Sequence, residues 1–327
     1  MLGMVRSGAH TLRRIAAGHN NMPDITPASP GRTTRLPAAL SSMPVQLVLM
    51  FILLAALDLT CQLLGARLVR AAPGPLRAEA GVLGALLLSV AMIAAYRYLV
   101  HVLERRTAVE LQLRASAARG LAGGAAAGAA LFMLVYLILW AVGAVTFGGF
   151  NGLAGVGIAL AVAIASAVGE EIVFRGVVFR RLESALGTSV ALLISAGVFG
   201  LLHAGNTGAS WTSTLAIALE SGVLLGITYA ATRSLWLPIG LHLGWNFTEG
   251  GVFGAAVSGG QYQGIFPATL SGPNWLTGGA FGPEASLAAL IVSLCASTIL
   301  GWQAARGGAW RRPGSRIPGS GTTGLRS

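Results

Sequence analysis

Charged residues are scarce in this chain, and that scarcity argues against a soluble domain. Only 10% of its 327 residues are charged, whereas soluble domains average about 25%. Lysine is absent, so all 22 basic residues are arginine, and with the abundant alanine and glycine this favours a bacterial source. The two cysteines, Cys61 and Cys295, lie within apolar runs without metal-ligand spacing. Neither a disulfide framework nor a cysteine metal site is expected.

Long apolar runs are what the chain has instead. Apolar residues make up 54% of the sequence, and its mean hydropathy is +0.71. A helix needs about 20 such residues to cross the hydrocarbon core of a bilayer. Eight segments approach or exceed this length, at 44–66, 80–100, 121–145, 152–174, 187–205, 213–232, 235–251 and 284–305. The sequence therefore predicts an all-α fold, a polytopic membrane bundle of about eight transmembrane helices.

The chain divides into a membrane domain between two basic tails. Residues 1–42 and 307–327 contain arginine and proline but no apolar run, so both are predicted to be disordered. Residues 43–306 form the helical membrane domain, in which the segment 252–283 is rich in glycine, proline and aromatics. That segment is predicted to be a structured outer loop or a re-entrant cap. No apolar core with a cleavage site precedes the first span, so a signal peptide is not expected.

Arginine placement predicts the orientation in the membrane. Arginines occur in both tails and in the loops after the second, fourth and sixth spans, but not after the third, fifth and seventh. The positive-inside rule then predicts a multi-pass protein of the cell membrane with cytoplasmic N- and C-termini. Arg67, Arg70 and Arg77, after the first span, depart from this pattern. Because the arginines form no single patch with aromatics, membrane lipid is an expected partner and nucleic acid is not.

A glutamate pair lies within the predicted fourth span. A charge at membrane depth costs about 2.5–3.5 kcal/mol, so it usually has a partner or a function. Glu171 and Arg175 are four residues apart, so they share a helix face and can form an ion pair. Glu170 is rotated by about 100° from Glu171 and is free to face the interior of a bundle. Taken alone, this motif is also compatible with a helix-end charge cluster.

Two histidine motifs follow on later spans. His203 comes four residues after Phe199, and Asn246 comes four residues after His242. A single histidine in a helix is usually a satisfied core group, but His242 and Asn246 together offer two hydrogen-bond donors to one point. Such donors can stabilise the oxyanion of a tetrahedral intermediate. Convergence of the three motifs would bring a general base and several donors into one site.

The ordered motifs resemble those of the CPBP superfamily, which includes the CAAX prenyl proteases and bacteriocin-processing enzymes and is also called the Abi family. The resemblance covers roughly residues 150–250 and implies an eight-helix membrane bundle with a water-filled cavity. It implies an intramembrane endopeptidase acting on a membrane-associated or lipidated protein or peptide. The implied roles are as follows: Glu170 is the base that activates water, His203 helps to hold that water, His242 and Asn246 stabilise the oxyanion, and Glu171 and Arg175 are an orienting pair.

The metal requirement has two possible answers at this stage. Glu170, His203 and His242 could form a His₂Glu zinc site. However, the chain has no HExxH helix, and an amide such as that of Asn246 is a better oxyanion donor than a zinc ligand. The favoured interpretation is a glutamate-dependent hydrolase without a cofactor, and zinc is the alternative.

The depth of the site raises a geometric question. Counted from Arg180 and Arg181 as a cytoplasmic edge, Glu170 lies about 15 Å inside the membrane. His203 lies late in the fifth predicted span, which places it nearer the other side. The two can share a water molecule only if a span tilts, kinks or begins later than predicted.

Two other classes of function fit the same polar residues. A proton-coupled transporter would use buried glutamates and histidines, and Glu220 in the sixth span would belong to its pathway. In a peptidase, Glu220 is instead expected to pair with an arginine or a histidine, and Asp58 to bond within the bundle. A non-proteolytic membrane scaffold on a protease-like fold is the third possibility.

Overall fold

The computed structural model describes residues 42–313, and within that range the protein is predominantly helical. Its helices are α1 (Met43–Ala71), α2 (Arg77–Glu104), α3 (Ala115–Ala141), α4 (Val156–Glu171), α5 (Arg180–His203), α6 (Trp211–Ile217), α7 (Val223–Thr232), α8 (Trp236–Asn246), α9 (Asn274–Thr277) and α10 (Leu287–Arg306). Three π-helical segments, Ile172–Phe179, Ala218–Gly222 and Phe247–Val252, join α4 to α5, join α6 to α7 and extend α8. Two strands, β1 (Val145–Phe147) and β2 (Ala268–Leu270), pair antiparallel.

Six helical stretches of the described residues are long and apolar enough to cross a membrane. They are Met43–Ala71, Gly74–Glu104, Ala115–Ala141, Val156–His203, Trp211–Thr232 and Leu287–Arg306. Leucines such as Leu87 and Leu193 are 61% and 71% exposed on these helices, as expected of side chains that face lipid. The predicted all-α polytopic membrane bundle is confirmed, whereas the count of about eight spans stays a prediction. The seventh predicted span corresponds to α8 and its π-helical extension, which are not among the six.

A reversal at Gly187 divides the long stretch Val156–His203. Gly187 has φ +79° and ψ 167°, a conformation that favours glycine because it has no Cβ. Gly187 lies 17 positions after Glu170 and 16 before His203, so a helical hairpin places these residues at the same depth. The ring of Phe174 packs edge-on against that of Phe199 at 4.8 Å across this hairpin. The depth difference inferred from the sequence was therefore wrong, because the first helix continues past Arg180 and Arg181 to Gly187.

Buried ion pairs hold the end of the bundle near this reversal. Arg106 donates to Glu104 Oε2 at 2.7 Å and to Glu110 Oε1 at 2.8 Å. Arg180, which is only 3% exposed, forms a further ion pair with Glu104. Burial alone would raise the pKa of Glu110, but the hydrogen bond from Arg106 and the charges of Arg180 and Arg106 hold it below its ordinary value. Arg180 and Arg181 are thus parts of the packed bundle.

The start of the predicted C-terminal tail lies against the same reversal. Thr188 donates its backbone N–H to Arg311 O at 3.1 Å, and Arg311 N–H donates to Thr188 Oγ1 at 2.9 Å. Trp310 Nε1 donates to Ser189 Oγ at 3.0 Å. Residues 1–41 and 314–327, which make up most of the two predicted tails, lie outside the described range.

Glycines bring α3 and α8 into close contact. A Cβ added to Gly128 of α3 would lie 2.8 Å from the backbone nitrogen of Trp245, and one added to Gly240 of α8 would lie 2.9 Å from that of Ala125. Spacing of small residues by four positions lets helix backbones approach in this way. This contact fixes α8, the helix that carries His242 and Asn246.

The segment between α8 and α10 forms an ordered cap on one end of the bundle. Its β2 strand pairs with β1 in the register Val145↔Leu270, and Val257 forms an antiparallel bridge with Gly260. The backbone N–H of Asn151 donates to Ile265 O at 2.9 Å. These contacts tie the cap to the loop that precedes α4.

Candidate active site

One cavity contains the four residues predicted to be catalytic. Its volume is about 770 Å³, and its lining includes Glu170, His203, His242 and Asn246. The hairpin of α4 and α5 supplies the first two residues, and α8 supplies the other two. The three motifs therefore converge on one space inside the bundle.

Glu171 connects the glutamate motif to the second histidine motif. Arg175 Nη1 donates to Glu171 Oε1 at 2.9 Å, and both side chains are fully buried. This is the i,i+4 pair that the sequence predicts. The same carboxylate oxygen lies 3.1 Å from His242 Nδ1. Because a carboxylate only accepts hydrogen bonds, this contact places a proton on Nδ1 and fixes the orientation of the imidazole ring.

Arg175 is held by two further elements. Its Nη2 donates to the backbone oxygens of Ser221 at 2.8 Å and Gly222 at 3.2 Å, in the π-helical segment between α6 and α7. Its guanidinium lies 4.7 Å from the centre of the Phe199 ring, a distance that allows cation–π attraction. The orienting pair is therefore fixed by contacts that the spacing of the motifs does not reveal.

Glu170 and His203 face each other across the cavity. His203 Nδ1 lies 2.8 Å from the backbone oxygen of Phe199, which can only accept, so Nδ1 carries a proton and Nε2 points elsewhere. Nε2 lies 3.8 Å from Glu170 Oε2, too far for a direct hydrogen bond. Glu170 Oε2 is buried and has no hydrogen-bond partner among the described residues. A water molecule bonded to both atoms would satisfy each of them.

Asn246 approaches the glutamates from α8. Its Nδ2 donates to Ser166 Oγ at 3.3 Å, and Ser166 lies one helical turn before Glu170. Both Asn246 and Ser166 line the cavity. The Asn246 amide is therefore held near the carboxylate by a side chain that the sequence interpretation did not include.

Glu284 is a second acid at the cavity that sequence reasoning missed. It lies in the short turn Pro283–Ala285 before α10, is 3% exposed and lines the cavity. Its Oε1 accepts hydrogen bonds from Ser258 N at 2.6 Å and Ser258 Oγ at 2.8 Å. Burial raises the pKa of the Glu284 carboxyl. The pKa of the Tyr262 phenol is raised to about 12 by burial and by the negative charges of Glu284 and Glu249. Glu284 lies far along the chain from the three motifs. Its spacing from other polar residues does not predict that it lines the cavity.

The remaining intramembrane acids differ in their surroundings. Glu220 does not line the cavity, and it accepts hydrogen bonds from Ser221 Oγ and from Ser293 Oγ. The expected pairing of Glu220 with an arginine or histidine was wrong, because serine hydroxyls take that place.

Asp58 accepts a hydrogen bond from Gln62 Nε2 at 2.9 Å, and its carboxylate lies where a Cβ on Gly169 would collide with it. The glycine before the glutamate pair therefore makes room for Asp58.

The alternative zinc ligands were Glu170, His203 and His242. Within residues 42–313, no group of three or more His, Cys, Asp and Glu side chains is placed to hold a metal ion. Of these three ligands, Glu170 and His203 face each other, and the bond of His242 Nδ1 to Glu171 leaves its Nε2 as the nitrogen available to a ligand. The predicted absence of a cofactor remains a prediction.

The helical bundle and its polar cavity define a multi-pass membrane protein with a buried site suited to hydrolysis. Residues 152–248 match the family described as type II CAAX prenyl endopeptidase, Rce1-like. The matched segment contains all three motifs, so this comparison supports the resemblance to the CPBP intramembrane proteases that the motifs predicted. No curated protein and no solved structure matches the chain.

Proposed function

We propose that the protein is an intramembrane endopeptidase in which Glu170 activates a water molecule. Its substrate would be a membrane-associated or lipidated protein or peptide. The family match supports a peptidase, and one observation carries the mechanism. The unpartnered Glu170 Oε2 faces His203 Nε2 at 3.8 Å within the cavity.

Water activation follows from this pair. A water molecule hydrogen-bonded to both atoms would lose a proton to Glu170 while its oxygen attacks the carbonyl carbon of the scissile bond. His203 Nε2 accepts the second hydrogen of the water, which fixes the direction of the attacking lone pair. Glu170 then gives the proton to the leaving amine, so the base is restored in one cycle.

His242 and Asn246 would stabilise the oxyanion. The Asn246 amide donates through Nδ2, and His242 donates through Nε2 when its ring carries both protons. Glu170 and Glu171 together carry two negative charges, and Arg175 supplies one positive charge. A protonated His242 would make this buried group neutral, which is the state that a low-dielectric interior favours.

This reaction proceeds without a metal in our proposal. The residues available do not form a three-ligand group within the described range, and the proposed steps use only side chains and water. Cleavage by purified protein should continue in the presence of a chelator, and elemental analysis should show less than one zinc per chain. Loss of cleavage on chelation, with recovery on adding zinc, would overturn this part.

The test of the peptidase assignment compares membranes from cells that produce the protein or its variants. New peptide termini are mapped by mass spectrometry. Glu170→Gln and His203→Ala should each abolish termini that the unaltered protein generates, while the variants remain folded in detergent. Glu220→Gln is the control, because Glu220 is a buried glutamate outside the cavity, and it should leave these termini in place.

The two other functional classes give different outcomes. A transporter would show solute or proton flux that Glu220→Gln abolishes. A scaffold would show the same peptide termini and the same cellular phenotype with Glu170→Gln as without it.

The orientation is part of this proposal. Both chain ends are placed on the cytoplasmic side of the cell membrane, because the arginine-rich loops lie on that side under the positive-inside rule.

A further inference from the structure

The cavity extends from the middle of the bundle towards one of its ends. Most lining residues are within 61–70 of α1, 81–88 of α2, 158–170 of α4, 199–207 of α5 and the loop after it, and 257–262 of the cap. The others are Ile217, Ser221, His242, Asn246 and Glu284. The ranges on the first helices are the last part of α1, the first part of α2, nearly all of α4 and the last part of α5. Thr207 in the loop after α5 is exposed and lines the cavity.

Contacts between loops confirm that these segments meet at one end. The cap residue Gly259 touches the backbone of Thr207, and Gly155 touches Gln263. A Cβ on Gly208 would lie 2.9 Å from the backbone carbon of Ala280. This end is formed by the turn 72–76, the loops 148–155 and 204–210 and the cap 253–286. We call it the cavity end.

The described ends of the chain lie at the opposite end. There Leu235 N–H donates to Glu110 O at 2.9 Å, and Thr188 bonds to Arg311. Arg233 forms an ion pair with Glu183 at the same end. Arg181 bonds to Gln46, near the beginning of α1. We call this the terminal end. None of these residues lines the cavity.

Arginines are distributed unequally between the two ends. At the terminal end, the loops and helix ends within the described range carry Arg105, Arg106, Arg114, Arg180, Arg181, Arg233, Arg306, Arg311 and Arg312. The cavity end carries three, Arg67, Arg70 and Arg77. Positively charged loops are retained in the cytoplasm, so the terminal end is the cytoplasmic one. Arg67, Arg70 and Arg77, which departed from the pattern, lie at the helix ends on either side of the short turn between α1 and α2.

We infer that the catalytic cavity opens to the non-cytoplasmic side of the membrane, so that its substrates are peptide segments exposed on that side. The statement about substrates rests on the proposed peptidase function, whereas the direction of the opening does not depend on it. It selects exported peptides and the non-cytoplasmic segments of membrane proteins as the substrate class. Cytoplasmic proteins with lipidated ends are not expected substrates.

The direction is tested with a matched pair of single-cysteine variants. Cys61→Ala and Cys295→Ala remove the native thiols. Thr207→Cys then reports the cavity end, and Thr107→Cys reports the terminal end. Both threonines are exposed in loops, and neither side chain forms a hydrogen bond with the residues that the structure describes. A membrane-impermeant sulfonated maleimide is applied to spheroplasts of a bacterial host and to inverted membrane vesicles.

We expect Thr207→Cys to be labelled in intact spheroplasts, with no further gain after the membrane is permeabilised. Thr107→Cys should be labelled only in inverted vesicles or after permeabilisation. The reverse pattern would overturn the inference, and labelling of both from one side would overturn the assignment of the two ends.

A second readout links the direction to substrate choice. Peptide termini that disappear with Glu170→Gln should lie in non-cytoplasmic segments of their parent proteins. Glu170-dependent termini confined to cytoplasmic segments would contradict the inference while leaving the peptidase intact. If no termini depend on Glu170, the proposed function fails, and the labelling experiment still decides the direction of the cavity.

Discussion

At the scale of single residues, two adjacent glutamates have different environments because of helix geometry. Neighbouring side chains on a helix diverge by about 100°, so Glu171 is enclosed with Arg175 while Glu170 lines the cavity. The i,i+4 spacing was sufficient to predict the Glu171–Arg175 pair. The contact of His242 with Glu171 could not be predicted, because the residues are 71 positions apart and helix periodicity carries no information over that separation.

Breaking the buried pair from one side should destabilise the protein strongly. Arg175→Met leaves the Glu171 carboxylate buried without its cation, and such changes cost about 3–5 kcal/mol. Thermal unfolding in detergent, read by tryptophan fluorescence, measures the effect.

The double variant Glu171→Gln, Arg175→Met provides the matched comparison. It should recover part of the lost stability, because it leaves no uncompensated charge, but it should remain without cleavage activity because His242 loses its carboxylate partner. A double variant no more stable than the single one would contradict this account.

Removing the Asn246 amide should slow the reaction without unfolding the protein. If Asn246 stabilises the oxyanion, Asn246→Ala should lower kcat by about 10²–10³-fold, the usual effect of losing one such donor, and leave KM nearly unchanged. Kinetics on a substrate found by terminus mapping would measure this split. A change confined to KM would instead assign Asn246 to ground-state binding.

At the scale of elements, helix contacts and irregular turns place the motifs. The apolar runs predicted most helices, but the local sequence did not predict that Gly187 is where α5 reverses. Gly169 lies in the fourth predicted span and Gly187 and Gly197 lie in the fifth, and composition alone does not distinguish the three glycines. Gly187 has φ +79°, and Thr188, next to it, bonds to Arg311, which lies 123 positions away along the chain.

The close contact of α3 with α8 makes a prediction about activity. Gly244→Ala would place a methyl group 2.8 Å from the Cα of Ala125 and push the helices apart. His242 and Asn246 would move with α8, so we expect both lower stability and loss of cleavage. Gly123→Ala is the control, because a Cβ there meets nothing within 4 Å and the change improves helix propensity.

At the scale of the whole molecule, the buried ion pairs at the terminal end predict sensitivity to acid. The folded-state pKa of Glu110 is depressed, so its contribution to stability is present above the pKa of the unfolded chain and is lost as pH falls through the folded value. The melting temperature should therefore fall as the pH decreases from 7 to 3.

Glu110→Gln isolates this contribution. The variant should melt at a lower temperature at pH 7, and its melting temperature should decline less steeply with acid. Parallel curves for the variant and the unaltered protein would show that other carboxylates dominate.

The helical hairpin around Gly187 also bears on how the protein is made. Glu170 and His203 meet through a local reversal, so both can enter the bilayer together as one compact unit during synthesis. His242 and Asn246 arrive later with α8, and Glu284 later still. The order of the chain would therefore assemble the water-binding half of the site before the half that stabilises the oxyanion, and a nascent chain would hold no complete hydrolase until its later helices had been inserted.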